Sequence, residues 1–163
     1  MYISQDDFKS IYCGPVKELL KEIDYTIFNS DNVYSLLYLF PLIERLIIET
    51  LGLSFDMKVE IDEQGKIRTI NSVLETEECK KIFDANALDA LLYYFDSQGL
   101  RNKIMHFDPM ITSVECKNSD IFRIQQIALY LMVTYNEEYQ KYNFEQTPDI
   151  EPISFEQEIE SGI

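Results

Sequence analysis

Apolar residues near the start of the chain recur at three- and four-residue spacing. Val16, Leu19, Leu20, Ile23 and Ile27 form one such stripe, which predicts an amphipathic helix from Pro15 to about Asn29. Asp31 or Asn32 then stands where a helix cap is wanted. The run from there to Leu51 is apolar on nearly every side, the mark of a central buried helix, and Gly52 is its expected stop. Pro41 lies inside that run, where a residue without an N–H can kink a helix.

The period then changes. Met57 to Ile61 alternates apolar and charged, Asp62-Glu63-Gln64-Gly65 supplies a turn, and Lys66 to Ile70 returns, so a small β-hairpin is expected over about 57–70. Lys58, Glu60, Lys66 and Arg68 would line its solvated face. Helical spacing resumes in a short helix around Thr76 to Phe83 and a firmer one from Ala85 to Gln98, capped by Asp84 and closed by Gly99. Leu88, Leu91, Leu92 and Phe95 are its core stripe. Leu100 to Phe107 reads as another helical turn or two, because Asp108-Pro109 discourages continuation. The last helix, about Asp120 to Tyr142, carries Ile121, Ile124, Ala128, Leu131 and Tyr135 on one side. The expected fold is all-α: an up-and-down helical bundle of four to six helices with a hairpin insertion, one domain over 1–143, and an acidic flexible tail over 144–163.

Composition agrees with that outline. The chain has 163 residues, 46% of them hydrophobic, enough to bury one core without disulfides or a structural metal, and only 5 Gly and 5 Pro, too few for the corners of a β-sandwich. Tyr34, Tyr38, Tyr93, Tyr94, Tyr130 and Tyr135 fall at core or shoulder positions and are read as packing rather than as stacking platforms for bases. Cys13, Cys79 and Cys116 lie far apart with no CxxC pair, the usage of a reducing compartment, and the opening residues lack a secretion signal. A cytoplasmic location is expected. Glu44, Arg45 and Glu49 interrupt the richest apolar stretch, so no membrane span is expected.

Charge narrows the partners. The net charge is −15, and such a surface repels phosphate backbones while favouring a basic protein partner. Six acids and no base fall in 144–163, so nine of those excess negative charges lie elsewhere.

Candidate chemistry centres on His106, the one histidine of the chain. Paired-histidine or CxxC zinc sites, a phosphate-binding P-loop, a dinucleotide fingerprint and a GxSxG elbow are all missing from the sequence, and no metal or cofactor is expected. Arg101 precedes His106 by five residues with Asn102 between them, in a short helix after a glycine. An imidazole can move protons near neutral pH, and a guanidinium stays charged and grips phosphate oxygens. Together they suit removal of the proton from a ribose 2′-hydroxyl, its delivery to the leaving oxygen and stabilisation of the phosphate under attack, a reaction that spares DNA.

The run Gly99-Leu100-Arg101-Asn102-Lys103-Ile104-Met105-His106 resembles the R-x4-6-H motif of HEPN domains, in which a polar residue often follows the Arg. The helix containing Pro41-Leu42-Ile43-Glu44-Arg45-Leu46 is similar to the long core helix of some members. The resemblance implies a metal-independent endoribonuclease of a prokaryotic defence or toxin–antitoxin setting, with Arg101 on phosphate, His106 moving protons, Asn102 positioning them and Lys103 adding charge. It also implies a homodimer with both motifs on one cleft. Five helical residues rotate a side chain by about 140°, so Arg101 and His106 need a distorted turn or a second subunit to meet. Glu44 falls on a mostly apolar stripe and needs a partner: its commoner role is a structural salt bridge, its functional one to orient Arg101 or His106. The alternative is a non-catalytic HEPN-like module whose acid surface docks a basic partner such as an antitoxin.

Overall fold

Two long helices organise the chain, and the shorter ones are wrapped around them. The computed structural model describes residues 3–55, 61–106 and 117–146. In chain order the helices are α1 (Gln5–Ile11), α2 (Gly14–Leu20), α3 (Tyr25–Phe28), a 3-10 turn (Val33–Ser35), α4 (Leu36–Phe55), α5 (Ile70–Leu74), α6 (Glu77–Ile82), α7 (Ala85–Phe95), α8 (Leu100–Met105) and α9 (Asn118–Gln146). The fold is all-α, but the expected four to six helices become nine α-helices among the described residues.

α4 is the buried axis foreseen from its pattern. Leu39, Phe40, Ile43, Leu46, Ile47 and Leu51 are almost fully enclosed, each contributing about 1.5–3 kcal/mol over leaving it in water. Its most extensive partner is α9, which turns Ile121, Ile124, Ala128, Leu131 and Tyr135 inward. Gly52 does not end α4. The helix runs on to Phe55, and Ser54 donates to Thr50 O at 3.0 Å and to Glu138 Oε2 of α9 at 2.9 Å, so a tertiary contact holds the last turn. Pro41 sits on the exposed side of α4.

The N-terminal helices are stitched to α9 by polar side chains. Asn136 accepts from Val16 N at 2.9 Å and donates to Cys13 O at 3.2 Å, which satisfies backbone groups where α1 gives way to α2. Gln125, almost fully buried, donates to Phe28 O and Ser30 O at 2.8 and 2.9 Å. The expected single helix over 15–29 is broken: Lys21 takes a positive φ of 59°, and Asp24 caps a new helix by accepting from Thr26 N and Ile27 N. Apolar spacing continues through both pieces, so periodicity alone does not register the break.

The hairpin is corrected as well. Among the described residues no strand forms; a turn at Asp62 to Gly65 closes on a lone antiparallel bridge between Ile61 and Ile67. Ile67 is 86% exposed, so the returning segment has no apolar face to bury. Thr69 instead accepts from Ser72 N and starts α5 at Ile70, leaving too few residues for a strand. Met57, Lys58 and Glu60 lie outside the described residues, as does the tail beyond Gln146; α9 itself runs past Tyr142, into the start of the segment expected as tail. Tyr34 and Tyr93 are not core residues, being 55% and 69% exposed.

The α7–α8 connection fixes the helix that carries the arginine and histidine. Phe95 packs edge-on against Phe40 of α4, with ring centroids 5.4 Å apart. Asp96 ends α7, and Gly99 caps α8 with its N–H donated to Asp96 O at 2.7 Å. A β-carbon at Gly99 would lie 2.6 Å from Tyr94 O and 2.9 Å from Asp96 O, contacts only glycine avoids. Because those atoms are backbone and cannot rotate aside, Gly99→Ala is expected to destabilise the fold by about 1–3 kcal/mol. Urea denaturation should show a lowered midpoint with an unchanged slope; an unaltered midpoint refutes the close approach.

Candidate functional site

Six residues make up α8, and its side chains leave in different directions. Ile104 turns into the core and anchors the helix. Arg101 reaches α4: its Nε and Nη2 both donate to Glu44 Oε1, at 2.7 and 2.6 Å. Each side chain is 25% exposed, so the pair is neither a solvated surface bridge nor a fully desolvated one. Glu44 thus has the partner that its place on an apolar stripe required, and that partner is the arginine singled out from the sequence.

Asn102 turns back toward the preceding loop, where its amide donates to Ser97 O at 2.9 Å. His106 ends the helix with its N–H on Asn102 O at 3.1 Å, and the residue is exposed. Among the described residues no side-chain hydrogen bond joins the imidazole to Arg101, Asn102 or Glu44. The fold therefore brings Glu44 and Arg101 together and leaves His106 in solvent at the end of the same helix. The separation follows from the helical rotation noted above.

Leu100 and Lys103, three residues apart, share another side of α8. They line a cleft of about 640 Å³ whose other walls include Tyr93, Tyr94, Asp96, Gln98 and Asp120. Tyr94 donates its hydroxyl to Asp120 Oδ1 at 2.9 Å, and Asp120 Oδ2 accepts from Lys117 N at 3.1 Å. Burial, reinforced by the neighbouring carboxylate, pushes the Tyr94 hydroxyl up to about 12, so it stays a donor at neutral pH. Sequence reasoning read Tyr93 as packing, which its exposure corrects, and did not name Asp96 or Asp120 as site residues. The Asp96-Ser97-Gln98-Gly99 run was the available signal, since such clusters make the tight loops on which sites are built.

Other candidate groups stay apart from this region. Cys13 is exposed and Cys79 buried, and both are free thiols. Burial pushes the Cys79 thiol up to about 11, the behaviour of an inert packing residue. Cys116 lies outside the described residues. Among the described residues no three His, Cys, Asp or Glu side chains gather as a metal site, and no helix is long and apolar enough to cross a membrane. No protein-family model, curated protein or solved structure matches the chain.

The Glu44–Arg101 pair can be weighed directly. Exposed pairs contribute about 0–1 kcal/mol, whereas removing one member of a buried pair costs about 3–5 kcal/mol. Intermediate burial predicts a coupling of about 1–2 kcal/mol in a double-mutant cycle of Glu44→Gln and Arg101→Met followed by chemical denaturation. A coupling near zero would mean that solvent, not Glu44, is the effective partner of the guanidinium.

Proposed function

We propose that this chain is a HEPN-like, metal-independent endoribonuclease that cuts RNA by attack of the ribose 2′-hydroxyl. The supporting observation is that Glu44 holds Arg101 at one end of α8 while His106 stands exposed at the other. An arginine fixed by a carboxylate retains further N–H donors on Nη1 and Nη2, and these can meet phosphate without a search through rotamers. His106 would take the 2′-hydroxyl proton and deliver one to the leaving 5′-oxygen, giving a 2′,3′-cyclic phosphate. Asn102 acts on His106 through the helix backbone, and Lys103 adds charge beside the site.

Arg101 and His106 leave α8 in different directions, so the reading includes a homodimer in which Arg101 of one subunit faces the partner's His106. A prokaryotic defence or toxin–antitoxin setting follows from the HEPN resemblance. Two observations favour a second reading, a non-catalytic module that docks a basic protein: the net charge is −15, and Glu44 neutralises the motif's own arginine.

Incubation of the purified chain with 5′-labelled single-stranded RNA in EDTA discriminates between them. Cleavage with cyclic-phosphate ends is expected, DNA of the same sequence should stay intact, and His106→Ala should slow the reaction at least about 100-fold. Equal cutting by that variant defeats the nuclease, and a basic partner captured independently of Arg101 favours the docking module. Light scattering that finds only monomer at micromolar concentration removes the shared cleft.

A further inference from the structure

The cleft beside α8 has a chemistry that neither the arginine nor the histidine explains. Two carboxylates, Asp96 and Asp120, stand among its lining residues, and Asp96 ends α7, where its charge adds to the negative end of the helix. Asp96 Oδ2 accepts from Gln98 N at 3.2 Å. A carboxylate offers about four acceptor positions, so this bond leaves capacity for a ligand.

The walls add an aromatic face and a cation. Tyr93 is 69% exposed, although its ring is braced edge-on by Tyr94 at a centroid distance of 5.1 Å. Tyr94 is in turn tied to Asp120. Lys103 lines the same cleft and carries several donors on one ammonium.

We propose that this cleft binds a guanine base of single-stranded RNA, stacked on Tyr93, with its Watson–Crick edge on Asp96 and its O6 toward Lys103. Guanine alone among the four bases presents adjacent N–H donors at N1 and N2 beside a carbonyl, the complement of a carboxylate and an ammonium that line one cleft. Adenine and cytosine set a ring acceptor beside their amino group, and uracil flanks its donor with carbonyls; each would meet Asp96 with a lone pair. Phosphate is disfavoured by the carboxylates of Asp96 and Asp120 among the lining residues. Single-stranded bases are commonly read in this way, by stacking plus hydrogen bonds to the exposed edge. The inference rests on the ribonuclease reading for the polymer to which the base belongs, but the base site can be tested without cleavage.

Calorimetric titration of the full chain with GMP, IMP, AMP, CMP and UMP is the test. GMP should bind at least about tenfold tighter than AMP, CMP or UMP, and IMP, which lacks the 2-amino group, should fall between. Asp96→Asn should erase the preference for GMP, and Tyr93→Ala should weaken GMP about tenfold or more. Both positions are exposed, and an unchanged urea midpoint would show that the variants fold. Equal affinity for all five nucleotides, no binding at millimolar GMP, or a preference that survives Asp96→Asn overturns the proposal. So does an arginine-rich peptide that binds in an Asp96-dependent manner while GMP does not. GMP preference in a protein that leaves RNA uncut would keep the base site and remove the nuclease; cutting without GMP preference would do the reverse.

Discussion

The need to enclose α4 governs this molecule. A helix of 20 residues that is apolar on nearly every side has no face to give to water, so α9 covers one side and shorter helices, α6 and α8 among them, close the rest. Glu44 is the exception on its stripe, and a half-buried carboxylate is costly unless a cation meets it. Arg101 is that cation. The orientation of α8 thus follows in part from a desolvation problem on α4, and the position of His106 follows from the orientation of α8.

That dependence bears on the chemistry assigned to the short helix. Leaving either charge of the pair alone would cost more than leaving a surface group alone, so Arg101 is ordered before any substrate arrives. Such order favours a transition-state contact, because the entropy of fixing the side chain is met in folding rather than in binding. It also lowers the net positive charge that Arg101 shows to a distant anion. A preorganised but partly neutralised guanidinium is poorly suited to collecting RNA from solution and better suited to a phosphate delivered to it by other contacts.

What could be read in advance divides along physical lines. The buried axis, the cap Asp84 and the short helix after Gly99 were legible because local rules decide them: all-round hydrophobicity, a side-chain oxygen before a helical run, and a glycine that permits a break. The break at Lys21 was not, since apolar spacing persists across it and the deciding contacts reach to other elements, such as the Asp24 N–H on Tyr38 Oη. The extension of α4 through Gly52 was hidden for the same reason: Ser54 meets Glu138, 84 residues away. The hairpin failed because alternation describes a surface to bury, and Ile67 found none. At the site, Glu44 was legible as an acid in need of a partner, whereas the cleft was not, because Tyr93, Asp96 and Asp120 acquire meaning only when α7, α8 and α9 converge.

Net charge is the strongest constraint on how an RNA could be held. With −15 overall, long-range attraction for a polyanion is replaced by repulsion that salt only screens, so phosphate contacts cannot supply most of the affinity as they do in basic nucleic-acid binders. Affinity must then come from short-range terms that are indifferent to net charge. Stacking on an exposed ring and hydrogen bonds to a base edge are such terms, and both groups needed for them line the cleft next to α8. A site of this kind selects unpaired bases over duplex, because only an unstacked base can present its edge and its face together. On the proposed reading, recognition by base and catalysis by a preordered arginine and a histidine would be parts of one arrangement: the first would compensate for the electrostatic field that otherwise keeps the second from its substrate.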